Sequence, residues 1–281
     1  MTGLDVRTDD NDGTIARAAP VRSAAHPRGR TAVVTGAARG IGHATARRLV
    51  AEGWRVVLAD LGAEVVDAAR TLDPSGRYAT GVIADVSRPE DAERLAAVVA
   101  SVYNGADALV ANAAVGGPEA ALLDTPDAEI RQVLDINFFG VLNCVRALRT
   151  QLERGPRPGR IVVLASLFAQ VATAGAGAYS ASKAAAHSLM RTLAVEMAPH
   201  CMVNAVAPGY IMTEMHREEI GNRARRSGHT FDEERSVLAA SVPLGRHGTG
   251  EDVADAIRYL LDGADYITGH TVNVNGGLYT S

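Results

Sequence analysis

From Thr31 onward the chain alternates two hydrophobic patterns. Short runs, "TAVVTG", "RVVLAD", "ATGVIADV", "ALVANAA", "RIVVLAS", "MVNAVAP" and "TVNVNG", are close to continuously apolar, as strands of a parallel sheet are when both faces are covered. Between them, residues 41–53, 89–102, 127–152, 178–198 and 251–262 carry helical spacing. Pro89, two residues after Ser87, marks a helix start, and the helix over 127–152 is predicted to break near Asn137. Strand and helix in regular alternation predict an α/β fold built on a doubly wound parallel sheet. Residues 211–242 interrupt the alternation with a charged, helix-like insertion, read as a lid. Residues 30–281 are read as one domain.

Ligands of an open parallel sheet bind outside the carboxyl ends of its strands. The predicted strands end in turn on Gly36, Asp60, Asp85, Asn112, Ser166 and Pro208-Gly209. Six such residues on one edge point to one binding site. "TGAARGIG" sets Gly36, Gly40 and Gly42 between a strand and a helix, where bare backbone approaches a phosphate and the helix N-terminus supplies amide donors. The spacing is G-x3-G-x-G. Asp60 follows at about the distance, about 20 residues, at which an acid binds the adenosine ribose hydroxyls of a dinucleotide. Such an acid would repel the extra phosphate of NADP. Arg39 in the glycine loop could receive that phosphate, but Asp60 stands at the ribose position itself and is followed by Leu61, not by a second base. The reading is therefore NAD over NADP. Asp85, with Val86, is placed against the adenine; a turn or helix cap before Pro89 is the alternative.

The segment "SLFAQVATAGAGAYSASKAAA" (166–186) is bland except for Tyr179 and Lys183. Four residues apart on a helix, they share a face. A free phenol titrates near pH 10, too high for a good base near neutrality, and a neighbouring cation lowers that value. Ser166 at its strand end can hold a reacting oxygen near the phenol.

Composition narrows the partners. The 281 residues carry a net charge of -4, without the basic excess of a nucleic-acid binder. No apolar run reaches the length of roughly 18 residues that a membrane helix needs. Cys144 and Cys201 lack metal-type spacing and read as free core thiols, which fits a reducing cytoplasm. No metal site is read. Residues 1–29, acidic in "DVRTDDNDG" and basic in "RAAPVRSAAHPRGR", have no apolar core of a secretory signal. They read as a disordered extension, with an arm on a neighbouring subunit as the alternative. His187, His216 and His229 are assigned no chemistry. Arg217, Arg223, Arg225 and Arg226 read as a solvated helix face balanced by Glu218, Glu219, Glu233 and Glu234.

Together "TGAARGIG", Asp60, "DV" at Asp85, "ANAA" at 111–114, Asn137 in "INFFG", Ser166, "YSASK" at 179–183, "PG" at 208–209 followed by Thr213, and "VNVNGG" resemble the short-chain dehydrogenase/reductase family. The likeness covers nearly everything from Thr31 to Gly277. It implies a Rossmann-like, seven-stranded sheet, a homotetramer or homodimer, and hydride transfer between a nicotinamide and a secondary alcohol or ketone. By the same likeness Tyr179 is the acid–base residue, and Lys183 lowers its pKa and binds the nicotinamide ribose. Ser166 holds the substrate oxygen, and Asn137 supports a helix bend and a proton-passing water. The cofactor-contact set it implies adds Ile41, Asn112, Ala113, Ala114, Pro208, Gly209, Ile211 and Thr213. Two residues depart from the family pattern: Ala114 replaces a glycine, and Asn275 replaces an aspartate. The substrate reads as a small molecule, polyol-like, sugar-like or a biosynthetic intermediate. An NADPH-dependent ketone or 3-ketoacyl reductase is the alternative, and a non-catalytic dinucleotide sensor stands third.

Overall fold

The computed structural model describes residues 29–280. The expectations for the N-terminal extension lie outside the described residues, save for Gly29. Seven strands, β1 (Thr31–Thr35), β2 (Arg55–Asp60), β3 (Ala79–Ile83), β4 (Ala108–Ala111), β5 (Gly159–Leu164), β6 (Cys201–Pro208) and β7 (Thr271–Val274), form one sheet in the order β3-β2-β1-β4-β5-β6-β7. Every neighbouring pair is parallel. Nine α-helices among the described residues cover it: α1 (Gly40–Ala51), α2 (Glu64–Leu72), α3 (Pro89–Tyr103), α4 (Asp127–Leu134), α5 (Gly140–Glu153), α6 (Gly177–Glu196), α7 (Glu214–Ser227), α8 (Phe231–Ser241) and α9 (Gly250–Asp262).

Successive strand residues point to opposite faces, so the sheet separates two apolar layers. Val33, Val57, Leu109 and Ile161 meet Leu95 and Val99 of α3, Cys144 and Leu148 of α5 and Met190 of α6. Val34, Leu58, Val110 and Val162 meet Leu49 of α1, Val65 of α2 and Ile257 and Leu260 of α9. This two-sided burial is why the strand sequences read as continuous apolar runs. Both cysteines are free and buried. Burial pushes the Cys144 thiol up to about 12 and the Cys201 thiol up to about 11, so neither is a ready nucleophile. No helix among the described residues is long and apolar enough to cross a membrane.

Local signals set the helix ends. Pro89 opens α3 at a position whose N–H would have no intrahelical partner. Thr249 with Asp252 caps α9, and Thr230 with Glu233 caps α8, each as a reciprocal box. The predicted break near Asn137 is a π-helical turn over Asp135–Phe139 that joins α4 to α5. The sequence pattern does not predict helix α2: only Val65 and Ala69 are buried along it, too few for a clear helical period. Strands β3 and β5 end two residues earlier than expected, so Asp85 and Ser166 lie just beyond them rather than on them. The charged insertion forms α7 and α8, packed on each other.

Candidate active site

Strand order reverses between β1 and β4, and at that reversal the carboxyl edge of the sheet opens into a crevice. A cleft of about 1420 Å3 lies there. Gly36, Arg39, Gly40, Ile41, Asp60, Leu61, Asp85, Val86, Asn112, Ala113, Ala114, Ser166, Tyr179, Lys183, Pro208, Gly209, Ile211 and Thr213 all line it. Gly42 and Asn137 stand behind its surface, both buried.

The glycine turn is dictated by space. Gly36 and Gly40 have φ of 64° and 61°, a region that L side chains rarely adopt. A Cβ on Gly42 would lie 2.2 Å from the Gly36 carbonyl oxygen and 2.7 Å from Asn112 Nδ2. Asn112 Nδ2 donates to the Thr35 and Gly36 carbonyls at 2.8 and 3.0 Å, and Thr35 Oγ1 accepts from the Asn112 and Ala113 amides at 3.0 Å. The sequence motifs do not single out Thr35, although it is the last residue of β1. Helix α1 has no side-chain cap at Arg39, so its first amides remain available to an anion. Asp60 accepts from the Ala38 amide at 2.9 Å and the Leu61 amide at 2.8 Å. This cradle of glycine backbone, free helix amides and one carboxylate fits a dinucleotide. Arg39 is ion-paired with Glu214 of α7. Asp85 accepts from the Ser87 amide at 2.9 Å and the Ser87 hydroxyl at 2.6 Å, so it builds the turn before α3 while also facing the cleft.

Ser166 Oγ accepts the Phe168 amide at 3.1 Å and is hydrogen-bonded to the Tyr179 phenol. The Phe168 ring meets the Tyr179 ring edge-on at 6.2 Å. Lys183 is buried, its Nζ 5.8 Å from the Tyr179 ring centroid, and it donates to the Leu164 carbonyl at 2.7 Å. Burial pulls its pKa down to about 8. Burial also pushes the Tyr179 phenol above its ordinary value; the Ser166 hydrogen bond pulls the other way, and the Glu219 charge adds to the rise. The direction is opposite to the lowering expected from a lysine one turn away: burial dominates, and the lysine proton is directed at the Leu164 carbonyl rather than at the phenol.

Asn137 Oδ1 accepts the Val115 amide, and its Nδ2 donates to the Val115 carbonyl and to Ser182 Oγ, all at 2.9 Å. The π-turn thereby clamps the loop after Ala114 to α6. Thr213 Oγ1 accepts the His216 amide at 3.3 Å and caps α7. Asn275 Nδ2 donates to the Tyr279 carbonyl at 3.0 Å while its Oδ1 accepts the Gly277 amide at 2.9 Å. A carboxylate at 275 could not make the first bond.

The lid supplies the outer wall. Glu219 accepts from Arg223 Nε at 3.0 Å and lies 2.9 Å from His216 Nδ1; Tyr210 stacks on His216 at 5.2 Å. Burial pushes the Glu219 carboxyl up, but the hydrogen bonds and charges of His216 and Arg223 outweigh it and hold it below the usual range. Arg226 pairs with Glu119 at 2.6 Å. Of the arginines read as a solvated face, Arg217, Arg225 and Arg226 are exposed, Arg226 at the rim of the cleft, whereas Arg223 is half-buried in the cleft wall; His216, given no chemistry from the sequence, is buried beside it.

A family model described as enoyl-(acyl carrier protein) reductase matches residues 36–279. The chain belongs to the short-chain dehydrogenase/reductase family. A cis-4-hydroxycyclohexanecarboxylate dehydrogenase of Sinomonas cyclohexanicum is 38% identical over 255 residues, covering 90% of this chain and 97% of the relative. A 3-oxoacyl-[acyl-carrier-protein] reductase FabG of Staphylococcus epidermidis is 32% identical over 256 residues, covering 89% and 99%. The solved structure of levodione reductase superposes with a TM-score of 0.82 at 26% identity, covering 88% of this chain and 96% of that one. This short-chain dehydrogenase/reductase is an oxidoreductase acting on CH–OH/C=O groups, and its family binds a nicotinamide cofactor.

Proposed function

We propose that the protein oxidises a secondary alcohol to a ketone, or the reverse, with NAD in preference to NADP. The carrying observation is that Ser166, Tyr179 and Lys183 share one cleft with the glycine turn and Asp60. When bound, the nicotinamide supplies the hydride acceptor or donor; the remaining tasks fall to the chain. The Phe168 amide occupies one lone pair of Ser166 Oγ, and Ser166, here bonded to the Tyr179 phenol, can turn its proton to a substrate oxygen seated beside both. Tyr179 moves the proton at its phenol oxygen; burial keeps the phenol protonated, the form that donates to a carbonyl, and makes it a weaker acid that needs a nearby cation to release the proton. Lys183, titrating near 8, is a cation at neutral pH that can offset a phenolate. Asn137 positions the loop after Ala114 and α6. Asp60 supports NAD, because a second negative charge at a carboxylate site is repelled, and Arg39 is directed toward Glu214.

The substrate class we favour is a polyol-like, sugar-like or cyclic secondary alcohol, the last in view of the relative that acts on a hydroxycyclohexanecarboxylate. Reduction of a 3-oxoacyl group with NADPH is the second reading; the FabG likeness favours it. Initial rates over a panel of secondary alcohols and ketones, 3-oxoacyl thioesters included, with NAD(H) and NADP(H) decide between them. The expected result is a higher kcat/KM with NAD on an alcohol. A higher value with NADPH on a 3-oxoacyl thioester would overturn the first reading.

A further inference from the structure

Behind the lid wall, four groups stand in series. His247 Nε2 lies 3.0 Å from the Arg235 carbonyl oxygen; a carbonyl only accepts, so that nitrogen carries a proton. His247 Nδ1 lies 3.1 Å from His216 Nε2, and His216 Nδ1 lies 2.9 Å from Glu219 Oε2. Three hydrogen bonds in series need three protons. Two neutral imidazoles bring one each and a carboxylate brings none. A third proton is required.

Its place follows from the neighbours. Of the two imidazoles only His216 touches a carboxylate, so the extra positive charge is best stabilised there and His247 is the neutral one, with Nδ1 bare; burial, which holds His247 below its ordinary value against its hydrogen bond to the Arg235 carbonyl, acts in the same sense. His216 Nε2 therefore donates to it, and the remaining proton lies in the link between His216 and Glu219. We propose that His216 and Glu219 share one proton, and that through it His216 acts as a positioning residue, fixing Glu219 and Arg223 against the Tyr179 end of the substrate cleft. The groups facing this link are Arg223 on α7, Tyr179 from α6, Tyr210 from the turn before α7, His247 from the segment before α9 and Arg235 from α8. The nearby charges Glu119 with Arg226 and Arg39 with Glu214 are paired among themselves.

Raising the pH removes the shared proton. Bare Nδ1 then faces a carboxylate oxygen, or a tautomer shift moves the same conflict to His247 and the Arg235 carbonyl. The first case loosens Glu219; the second would leave Glu219 bonded and open the His247 link instead. The Arg235 carbonyl, which only accepts, keeps the His247 proton on Nε2 and favours the first. Glu219→Gln resolves the count: its amide N–H donates to bare Nδ1 while its amide oxygen accepts from Arg223, with no third proton. His216→Asn resolves it differently, because its amide donates to Glu219 at every pH.

The test uses the full chain labelled with 15N-histidine from about pH 5 to about pH 9, which spans the range of about pH 5 to 8 in which a free histidine changes charge. The His216 signal is identified by its loss in His216→Asn. In the wild type, His216 is expected to show the imidazolium signature at the acid end and to lose it on titration; in Glu219→Gln it stays neutral throughout. The kinetic arm rests on the dehydrogenase reading. The KM for substrate should rise roughly tenfold as the proton leaves, the loss of one charged hydrogen bond, and should stay flat in Glu219→Gln and in His216→Asn. A neutral His216 throughout in the wild type overturns the proposal whatever the enzyme's substrate is. So does a KM that climbs with pH in folded Glu219→Gln as it does in the wild type. If Glu219→Gln does not fold, a climbing KM in His216→Asn overturns the proposal in its place.

Discussion

On the strand-end wall of the cleft, Asn112 and Asp60 bond main-chain groups of Thr35, Gly36, Ala38 and Leu61, whereas on the lid wall Glu219, Arg223, Arg226 and Glu119 bond other side chains. Main-chain partners are fixed by the sheet and by the glycine turn, so that wall has one shape. Long side chains must each lose about 2 kcal/mol of rotamer freedom to be held, and their partners sit on separate helices and loops. The strand-end wall is therefore suited to one unchanging ligand, and the lid wall to discrimination that can be altered residue by residue. Tyr179 stands where the two walls meet, bonded to Ser166 on one side and feeling Glu219 on the other.

Removing the group at that seam should have the largest effect. Tyr179→Phe should lower kcat about 1000-fold, within the range of acid–base catalysis, while a fluorescence titration of the dinucleotide stays near the wild-type value. A variant that remains active would break the assignment. On the strand-end wall, Gly42→Ala forces a Cβ to within 2.2 Å of the Gly36 oxygen; urea unfolding should show a loss of about 3 kcal/mol, and dinucleotide binding should disappear with it. Lys183→Met should act in the reverse direction. The folded pKa of about 8 lies below the unfolded one, so the unfolded chain binds more protons between them and wild-type stability rises with pH there. Removing the ammonium should stabilise the fold by about 2 kcal/mol at neutral pH, after allowing for the lost bond to Leu164, and the gain should fade above about pH 10. Unfolding curves at both pH values, with turnover abolished, would separate function from stability. The smallest effect belongs to the lid: Arg226→Ala, at an ion pair whose arginine is 58% exposed, should change stability by less than about 1 kcal/mol. A larger loss would erase the contrast between the walls.

The same contrast explains what could be read from the sequence. Gly36, Asp60, Asn112 and the helix carrying Tyr179 and Lys183 follow from strand ends and short spacings, because their partners are local or lie on adjacent strands. The break at Asn137 is legible for the same reason. The pairing of Arg226 with Glu119 spans 107 residues, and no local pattern encodes it. His216 looks like a packing residue in the sequence because its role depends on His247, which reaches it only after α8 folds back. The rise in the Tyr179 phenol is illegible too, since spacing shows a cation nearby but neither the burial of the phenol nor the turn of the lysine toward the Leu164 carbonyl.

The π-turn at Asp135–Phe139 also has a consequence of phase. Each residue of a helix advances the face by about 100°, and a π-turn holds one residue more than an α-turn. Helix α5 is therefore rotated by about that angle relative to a straight continuation of α4. This is how α4 comes to lie on α6 while α5 lies on α3. Deleting a single residue between 135 and 139 would swing Val141, Cys144, Val145 and Leu148 off α3 together, misaligning one whole layer against the sheet without altering any residue in it.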